Sequence, residues 1–393
     1  MWRHVSFFAL LYFIQGAAFA YIVNFQKPFL AENGVSKQTL GLFTSLLLIP
    51  FIAKVFLGML SDRLPWGRWG ARKPYMVLGL AGFALCYATL SRVSPATDFP
   101  LFAGLTWLAS LGLALFDTCA DGWAIDVAGT SEQSVIQAAM ISGKSLGLIL
   151  MSWGFGFLAQ MGGFQTIFMA LAILSMVVLG VVMITPHTGR VEPCAAPLSE
   201  WRDLLRSSYL YFAGFGIVYS IASFGTDGLL TLYLADARLA NVYELGVFGV
   251  ARGLGAFLGA ILFVRVMGRG ELKRSLFISV AVLGVGCLSP LLNPPLLSLG
   301  VFWGACWGFQ ETAYVTAAMR FSQGSWAASF FALSMIFSNI GTAVGEALGA
   351  PLVPQLGYSV VFGGFAALSW LSLLFLPRMT RPQLMSTVNR AVD

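Results

Sequence analysis

Three carboxylates stand close together at the end of a strongly apolar stretch. The chain reads LFAGLTWLASLGLALF over 101–116 and then DTCADGWAID, which contains Asp117, Asp121 and Asp126. Asp117 and Asp121 are four residues apart, so on a helix they share one face. Two carboxylates on one dry face repel each other, and burial disfavours the charged form. The spacing therefore predicts that one of the two aspartates binds a proton near neutral pH and transfers it, or that the pair binds a cation.

A structural reading of the same residues stays open. Lys54 and Lys144 also fall inside apolar segments, and the two aspartates could simply pair with them. Each lysine alternatively offers a compact positive charge to an anionic substrate group. Lys54 is close to a segment end, where its ammonium group could reach the interface. Asp126 is nearer the end of its segment and is interpreted as an interfacial anchor.

The composition places these charges in a membrane protein. Of 393 residues, 58% are hydrophobic and only 10% are charged, whereas soluble domains average about 25% charged residues. The net charge of +6 is explained by cytoplasmic Lys and Arg, so no nucleic-acid partner is expected. The five cysteines are scattered and the two histidines are far apart. We therefore expect no metal, no cofactor, no disulfide framework and no catalytic residues, and the chain is not predicted to be an enzyme.

Twelve apolar segments are each near the roughly 20 residues that cross a bilayer as a helix. They lie at about 5–29, 38–60, 74–92, 99–125, 133–158, 163–184, 207–234, 242–266, 275–290, 295–319, 325–350 and 357–377. If both termini are cytoplasmic, sixteen of the 23 Lys and Arg residues lie on the inner side. This asymmetry predicts that orientation for a multi-pass protein in a lipid bilayer.

The polar stretch 185–206 divides the chain into two halves. We predict six-helix bundles at 1–184 and 207–377, joined by a cytoplasmic linker at 185–206 and followed by a tail at 378–393. The halves echo each other: GMLSDRLPWGRWGARK follows the second segment and GAILFVRVMGRGELKR follows the eighth. Repeats of this kind are typical of the major facilitator fold, with two halves related by a pseudo-two-fold axis.

Local motifs carry a resemblance to a known family. The loop GMLSDRLPWGRWGARK resembles the major facilitator loop signature, with an insertion. The stretches ENGVSKQTLGLFTSLLLIPFIAKVFLGMLSDR, DTCADGWAIDV and RFSQGSWAASFFALSMIFSNIG resemble AmpG-type muropeptide permeases, which are related to acetyl-CoA transporters and siderophore permeases. Those permeases typically have a lysine where this chain has Ala124. The resemblance implies an all-α transporter that works by alternating access, with the substrate bound between the two halves.

Polar residues inside apolar segments mark the candidate site, because charges at the bilayer centre are costly. The candidates for proton coupling or substrate binding are Asp117, Asp121, Glu311, Lys54, Lys144, Gln15, Asn24 and Asn339. The candidates for salt bridges or gating are Asp227, Arg252, Glu346, Asp62, Arg63 and Arg72. Asp227 and Arg252 are expected to pair, and Asp62 with the following arginines resembles the family's cytoplasmic latch. In the fold that the resemblance implies, segments one, four, seven and ten line the cavity.

The sequence thus predicts a monomeric secondary transporter driven by the proton gradient. Its substrate is expected to be a small polar or zwitterionic solute such as an anhydro-muropeptide, imported across the inner membrane. Two alternatives remain: a siderophore or drug permease of the same fold, and a membrane assembly factor or sensor that transports nothing.

Overall fold

The computed structural model describes residues 2–64, 69–70, 72–127, 133–186, 207–267, 272–321 and 327–379. Within these ranges the regular structure is entirely helical, so the predicted all-α class is confirmed. The first half contains α1 (Trp2–Asn24), α2 (Gln26–Glu32), α3 (Lys37–Leu46), α4 (Ile49–Ile52), α5 (Lys54–Arg63), α6 (Lys73–Leu90), α7 (Phe99–Val127), α8 (Gln133–Gly162) and α9 (Phe164–Ile184). The second half contains α10 (Ser207–Arg238), α11 (Val242–Met267), α12 (Leu272–Leu288), α13 (Leu296–Phe321), α14 (Ala327–Leu371) and α15 (Leu376–Met379).

The long helices have the dimensions of membrane spans. Nine helical stretches in the described residues are long and apolar enough to cross a bilayer. The predicted second segment, 38–60, is broken into α3, α4 and α5. The range α14 consists of two helical stretches that meet in a kink at Gly357, the residue at which the predicted twelfth segment begins. The end of that segment continues through a 3₁₀ turn at Ser372–Phe375 into α15. The count of twelve spans and the cytoplasmic placement of both termini stay predictions.

Two backbone features explain where these helices are interrupted. Pro50 falls at the start of α4, and its ring and missing N–H prevent a continuous helix through 46–50. In α14 the backbone kinks at Gly357, where φ is 76° and ψ is 160°. Glycine adopts positive φ without strain, so the chain turns there between two helical stretches.

A main-chain carbonyl next to the break at Pro50 accepts a hydrogen bond from a neighbouring helix. The hydroxyl of Ser110 on α7 donates to the main-chain carbonyl of Leu47 at 2.6 Å. A buried carbonyl left by a helix break would otherwise lack a partner. After the break, the single turn of α4 ends at Ile52 and α5 begins at Lys54.

The chain divides into two compact units. The first consists of residues 1–193 with 229–253, and the second of residues 194–228 with 254–393. The helices α10 and α11 therefore contribute segments to both units, and the predicted domain boundaries at 184 and 207 stay predictions. The first unit has an aromatic core that includes Tyr21, Phe29 and Phe168. In the second unit, Phe212 and Tyr219 both pack on the ring of Tyr314.

The helices α1 and α8 approach backbone to backbone. A Cβ atom added at Gly143 would strike the carbonyl of Ala9, and one at Gly147 would strike that of Phe13. These two glycines form a small-x-x-x-small pair, which allows membrane helices to pack closely. Lys144 lies between them in sequence, so this close crossing brings the lysine to α1.

Candidate coupling and substrate site

Asp117 is the most enclosed acid of the site. It accepts hydrogen bonds from Lys54 Nζ and from Gln15 Nε2, and its side chain is only 3% exposed. A buried carboxylate that is paired and hydrogen-bonded on both oxygens has its charge compensated within the protein. Asp117 therefore joins α1, α5 and α7 at one point.

Asp121 lies one turn further along α7 in a different environment. The hydroxyl of Tyr12 donates to Oδ1, and Lys54 Nζ is 3.9 Å from Oδ2. The Asp121 side chain is 45% exposed. The same lysine thus makes a direct pair with Asp117 and only a marginal one with Asp121, which leaves Asp121 as the more accessible acid.

Lys144 supplies the second positive charge of this cluster. Its Nζ lies 4.5 Å from the centroid of the Phe19 ring on α1, a cation–π distance. Phe19 shares its face of α1 with Tyr12 and Gln15, which donate to Asp121 and Asp117. With Lys54 and Asp117, the cluster holds two lysines and two aspartates, so it is neutral when both acids are ionised.

Sequence reasoning found the charges of this cluster and missed two of its neutral members. Tyr12, Gln15 and Phe19 recur on α1 at spacings of three and four residues, which puts them on one helix face. Gln15 is among the predicted residues, whereas Tyr12 and Phe19 are not, although the same spacing would have found them. The structure also brings together the four charged residues whose pairing the sequence left open, which are Lys54, Asp117, Asp121 and Lys144.

Asn24 lies at the end of α1, away from this cluster along the helix. Its amide donates to Ser152 Oγ on α8 at 2.8 Å, and the residue is completely buried. The amide oxygen has no partner in the described part of the chain. Asn24 therefore links α1 to α8 in this conformation.

Glu311 belongs to a second polar cluster, in the second unit. Tyr219 donates to Glu311 Oε2 at 3.0 Å. Ser338 on α14 lies 3.5 Å from the Tyr219 hydroxyl and 2.8 Å from Ser220 Oγ. This cluster therefore joins α10, α13 and α14 around one acid.

Two further predicted residues, Asn339 and Glu346, lie on α14. Asn339 directly follows Ser338 of the second polar cluster, and both Asn339 and Glu346 are half-buried. Their predicted roles, in solute binding and in gating, stay predictions.

Asp227 has a partner that the sequence did not predict. The indole nitrogen of Trp303 on α13 donates to Asp227 Oδ1 at 2.7 Å, and both residues are buried. Arg252 on α11 is also buried. The predicted pairing of Asp227 with Arg252 stays a prediction.

Arg72 connects two helices of the first unit. It is buried and donates to Ser61 Oγ on α5 at 2.7 Å. Its guanidinium carbon lies 2.8 Å from where a Cβ of Gly122 would be, so the absence of a side chain at Gly122 leaves room for it on α7. The side chains of Asp62 and Arg63 lie outside those that the structure describes, as does that of Asp126.

Paired charges inside a bundle of apolar helices are typical of membrane transporters. The Major Facilitator Superfamily model matches residues 8–345, and the chain belongs to that family. The predicted major facilitator fold and the predicted transport class are thereby confirmed.

Curated relatives cover nearly the whole chain at low identity. The anhydromuropeptide permease of Escherichia coli (strain K12) is 23% identical over 392 residues, covering 94% of this chain and 79% of its own. The multidrug resistance protein MdtG of Dickeya zeae (strain Ech586) is 24% identical over 407 residues and covers 95% of each chain.

Solved transporters share the fold. The nucleoside transporter NupG superposes with a TM-score of 0.78 at 13% identity, over 96% of this chain and all of that one. The D-xylose-proton symporter superposes with a TM-score of 0.73 at 12% identity, over 96% and 97% of the two chains. At these identities the likeness concerns the fold alone.

Proposed function

We propose that the chain is a proton-coupled importer of a small polar or zwitterionic solute such as an anhydro-muropeptide, with Asp121 as the residue that carries the proton. The observation that carries this proposal is that two carboxylates one turn apart have different hydrogen-bond partners and different exposure. Asp117 is held by Lys54 and Gln15, while Asp121 is 45% exposed and accepts a hydrogen bond from the neutral Tyr12.

Exposure and pairing support Asp121 as the titrating group. A proton carrier must exchange its proton with solvent, which favours the acid that water can reach. Protonation of the carrier must also cost little electrostatic attraction to its lysine. A carboxylate 3.9 Å from the lysine loses less of this attraction on protonation than a carboxylate in direct contact with it. Asp117 then serves as a positioning residue that keeps Lys54 at the site.

The charge balance supports coupling between proton and solute. With Lys54, Lys144, Asp117 and Asp121 all ionised, the four charges cancel. When Asp121 takes up a proton, one positive charge is in excess, and an anionic group of the solute restores neutrality. Because a net charge in a low-dielectric site is costly, proton and anion bind more favourably together than separately.

The substrate class is supported by the curated relatives and by the charges of the site. One relative that matches most of the chain is described as an anhydromuropeptide permease. Such a solute carries carboxylate groups, which suit Lys54 and Lys144. Both signs of charge in one site also suit a zwitterion.

A drug permease is the second candidate. The relative described as a multidrug resistance protein matches 95% of each chain at 24% identity, against 23% identity for the permease relative. In that case Asp121 would contact a cationic drug directly, and the solute would be exported in exchange for protons.

Uptake into proteoliposomes tests these alternatives. The purified chain would be offered an anhydro-muropeptide, a ferric siderophore and a cationic drug, each with and without an inward proton gradient. We expect the muropeptide to accumulate only with the gradient. Gradient-driven movement of the drug with no movement of the muropeptide would support the second candidate.

A lack of movement for every solute would contradict transport of these classes. The assembly-factor or sensor alternative would then gain support, provided the same preparation keeps a cooperative thermal unfolding transition. Empty liposomes and liposomes with heat-inactivated protein provide the baseline.

A further inference from the structure

The helices α10 and α13 in the second unit are joined by two polar pairs in antiparallel register. Tyr219 bonds Glu311 at 3.0 Å, and Asp227 bonds Trp303 at 2.7 Å. From Tyr219 to Asp227 is eight residues along α10, and from Glu311 back to Trp303 is eight residues along α13. The two pairs therefore fix the same register over about two turns of both helices.

The position midway between these pairs is polar on both helices and lacks the corresponding bond. Ser223 lies four residues from both pair members on α10, and Trp307 lies four residues from both pair members on α13. The register sets Ser223 across from Trp307, in agreement with the edge-to-face contact of Phe224 with Trp307 at 6.0 Å. Within the described part of the chain, neither Ser223 Oγ nor Trp307 Nε1 has a hydrogen-bond partner, although both atoms are buried.

A third polar group without a partner among the described residues lies near Trp307 on α13. Gln310 is three residues from Trp307 and four from Tyr314, whose ring packs against Tyr219 of α10. Gln310 is completely buried, and among the described residues neither its amide oxygen nor its amide nitrogen has a partner. A hydroxyl, an indole N–H and a carboxamide are thus left unsatisfied between two satisfied pairs.

Unsatisfied buried groups are costly, about 1–3 kcal/mol each, and native structures contain few of them. Three in one interval of one helix pair need a physical reason. Trp307 is the residue through which a ligand can reach these groups, because its side chain is only partly buried while its Nε1 is turned inward. Rotation of its side chain would open the interval between the two pairs.

We infer that this interval, defined by Ser223, Trp307 and Gln310, binds an uncharged group of the transported solute that both donates and accepts hydrogen bonds, a hydroxyl or an amide. The inference rests on the proposed function only in taking the ligand to be the transported solute. All three protein groups are neutral, and the acids on either side already accept bonds from tyrosine and tryptophan. A neutral donor–acceptor group satisfies all three, whereas an added carboxylate would face Glu311 and Asp227.

The test compares Trp307→Phe and Ser223→Ala with wild type. Trp307→Phe keeps an aromatic ring and removes the indole N–H together with the rest of the pyrrole ring. Trp153→Phe, at a 53% exposed position on α8, is the control for the same change of side chain, and Ser223→Ala removes a hydroxyl alone. The thermal shift of the purified protein would be titrated with an anhydro-muropeptide, with N,N′-diacetylchitobiose and with alanyl-alanine amide. The last two probes separate a sugar source of the neutral group from a peptide source.

We expect at least one probe to bind wild type and the Trp153→Phe variant equally. The same probe should bind Trp307→Phe and Ser223→Ala about fivefold more weakly, which corresponds to one lost hydrogen bond. The ligand-free midpoint should not fall in Ser223→Ala, because this substitution removes a hydroxyl that has no partner among the described residues. A role in holding α10 to α13 would instead lower that midpoint.

Equal affinity of every probe for wild type and the two variants would overturn the inference, and ordered water would then be the occupant of the interval. The inference is also overturned if no probe shifts wild type at all. Neither result depends on the proton gradient, so failure here is distinguishable from failure of Asp121 as proton carrier. Conversely, probe binding that depends on Trp307 in a chain that moves no solute would contradict the proposed function and leave this site standing.

Discussion

Lys54 and Asp117 form the most tightly coupled pair at the residue scale. The Asp117 side chain is 3% exposed and that of Lys54 is 29% exposed. Removing one member of an enclosed ion pair leaves the other charge uncompensated, at a cost of about 3–5 kcal/mol. The two members are not equivalent, however, because Lys54 has Asp121 at 3.9 Å as a second acid.

Single and double substitutions should therefore differ in a definite order. We expect Lys54→Met to lower the thermal midpoint in detergent more than Asp117→Asn does, because Lys54 can move to Asp121 when Asp117 is neutralised. The double variant should recover much of the loss, since neither charge then remains alone. Losses that simply add, or a double variant less stable than both singles, would show that the pair is not coupled.

The sequence predicted the charged members of the site better than their arrangement. The four-residue spacing puts Asp117 and Asp121 on one helix face, which follows from the period of an α-helix. Which of the two would be enclosed depends on Lys54, Gln15 and Tyr12, which reach them from other helices. Such long-range contacts are decided by packing, so no local pattern on α7 could distinguish the two acids.

At the scale of elements, the crossing of α1 and α8 is what brings Lys144 to Phe19. We expect Gly147→Ala to lower the thermal midpoint, because the new Cβ would meet the Phe13 carbonyl and the backbone there can yield little. Overpacking of this kind costs about 1–3 kcal/mol. Gly154→Ala on the same helix is the control, since nothing lies within 4 Å of its added Cβ. Equal midpoints for the two variants would contradict the close crossing.

Helix existence was predictable from the apolar segments, and helix continuity was not. A run such as LLLIPFIAK has the composition of one apolar span, and Pro50 alone does not say whether the helix kinks or ends. The outcome depends on Ser110, which is 63 residues from Leu47 in sequence and donates to its carbonyl. By contrast, Gly357 falls at the start of the predicted twelfth segment, and the backbone kinks there between two helical stretches, as the segment boundary indicates.

At the scale of the whole molecule, the distribution of Lys and Arg predicts both termini in the cytoplasm. Fusions at the C-terminus test this directly. A fluorescent protein that folds only in the cytoplasm should be fluorescent there, and an alkaline phosphatase that is active only outside should be inactive. The reverse pair of results would contradict the predicted orientation.

The central claim is that Asp121 couples proton movement to solute movement. The most direct measurement compares two modes of anhydro-muropeptide transport in proteoliposomes, gradient-driven accumulation and gradient-free exchange of labelled for unlabelled solute. Asp98→Asn is the matched control, because Asp98 is an exposed residue before α7 whose side chain accepts from the Leu101 N–H, a role that asparagine also fills.

We predict that Asp121→Asn exchanges solute but no longer accumulates it, because a carboxamide binds the solute without taking up a proton. Wild type and Asp98→Asn should do both. Accumulation by Asp121→Asn at the wild-type level under the same proton gradient would contradict the account.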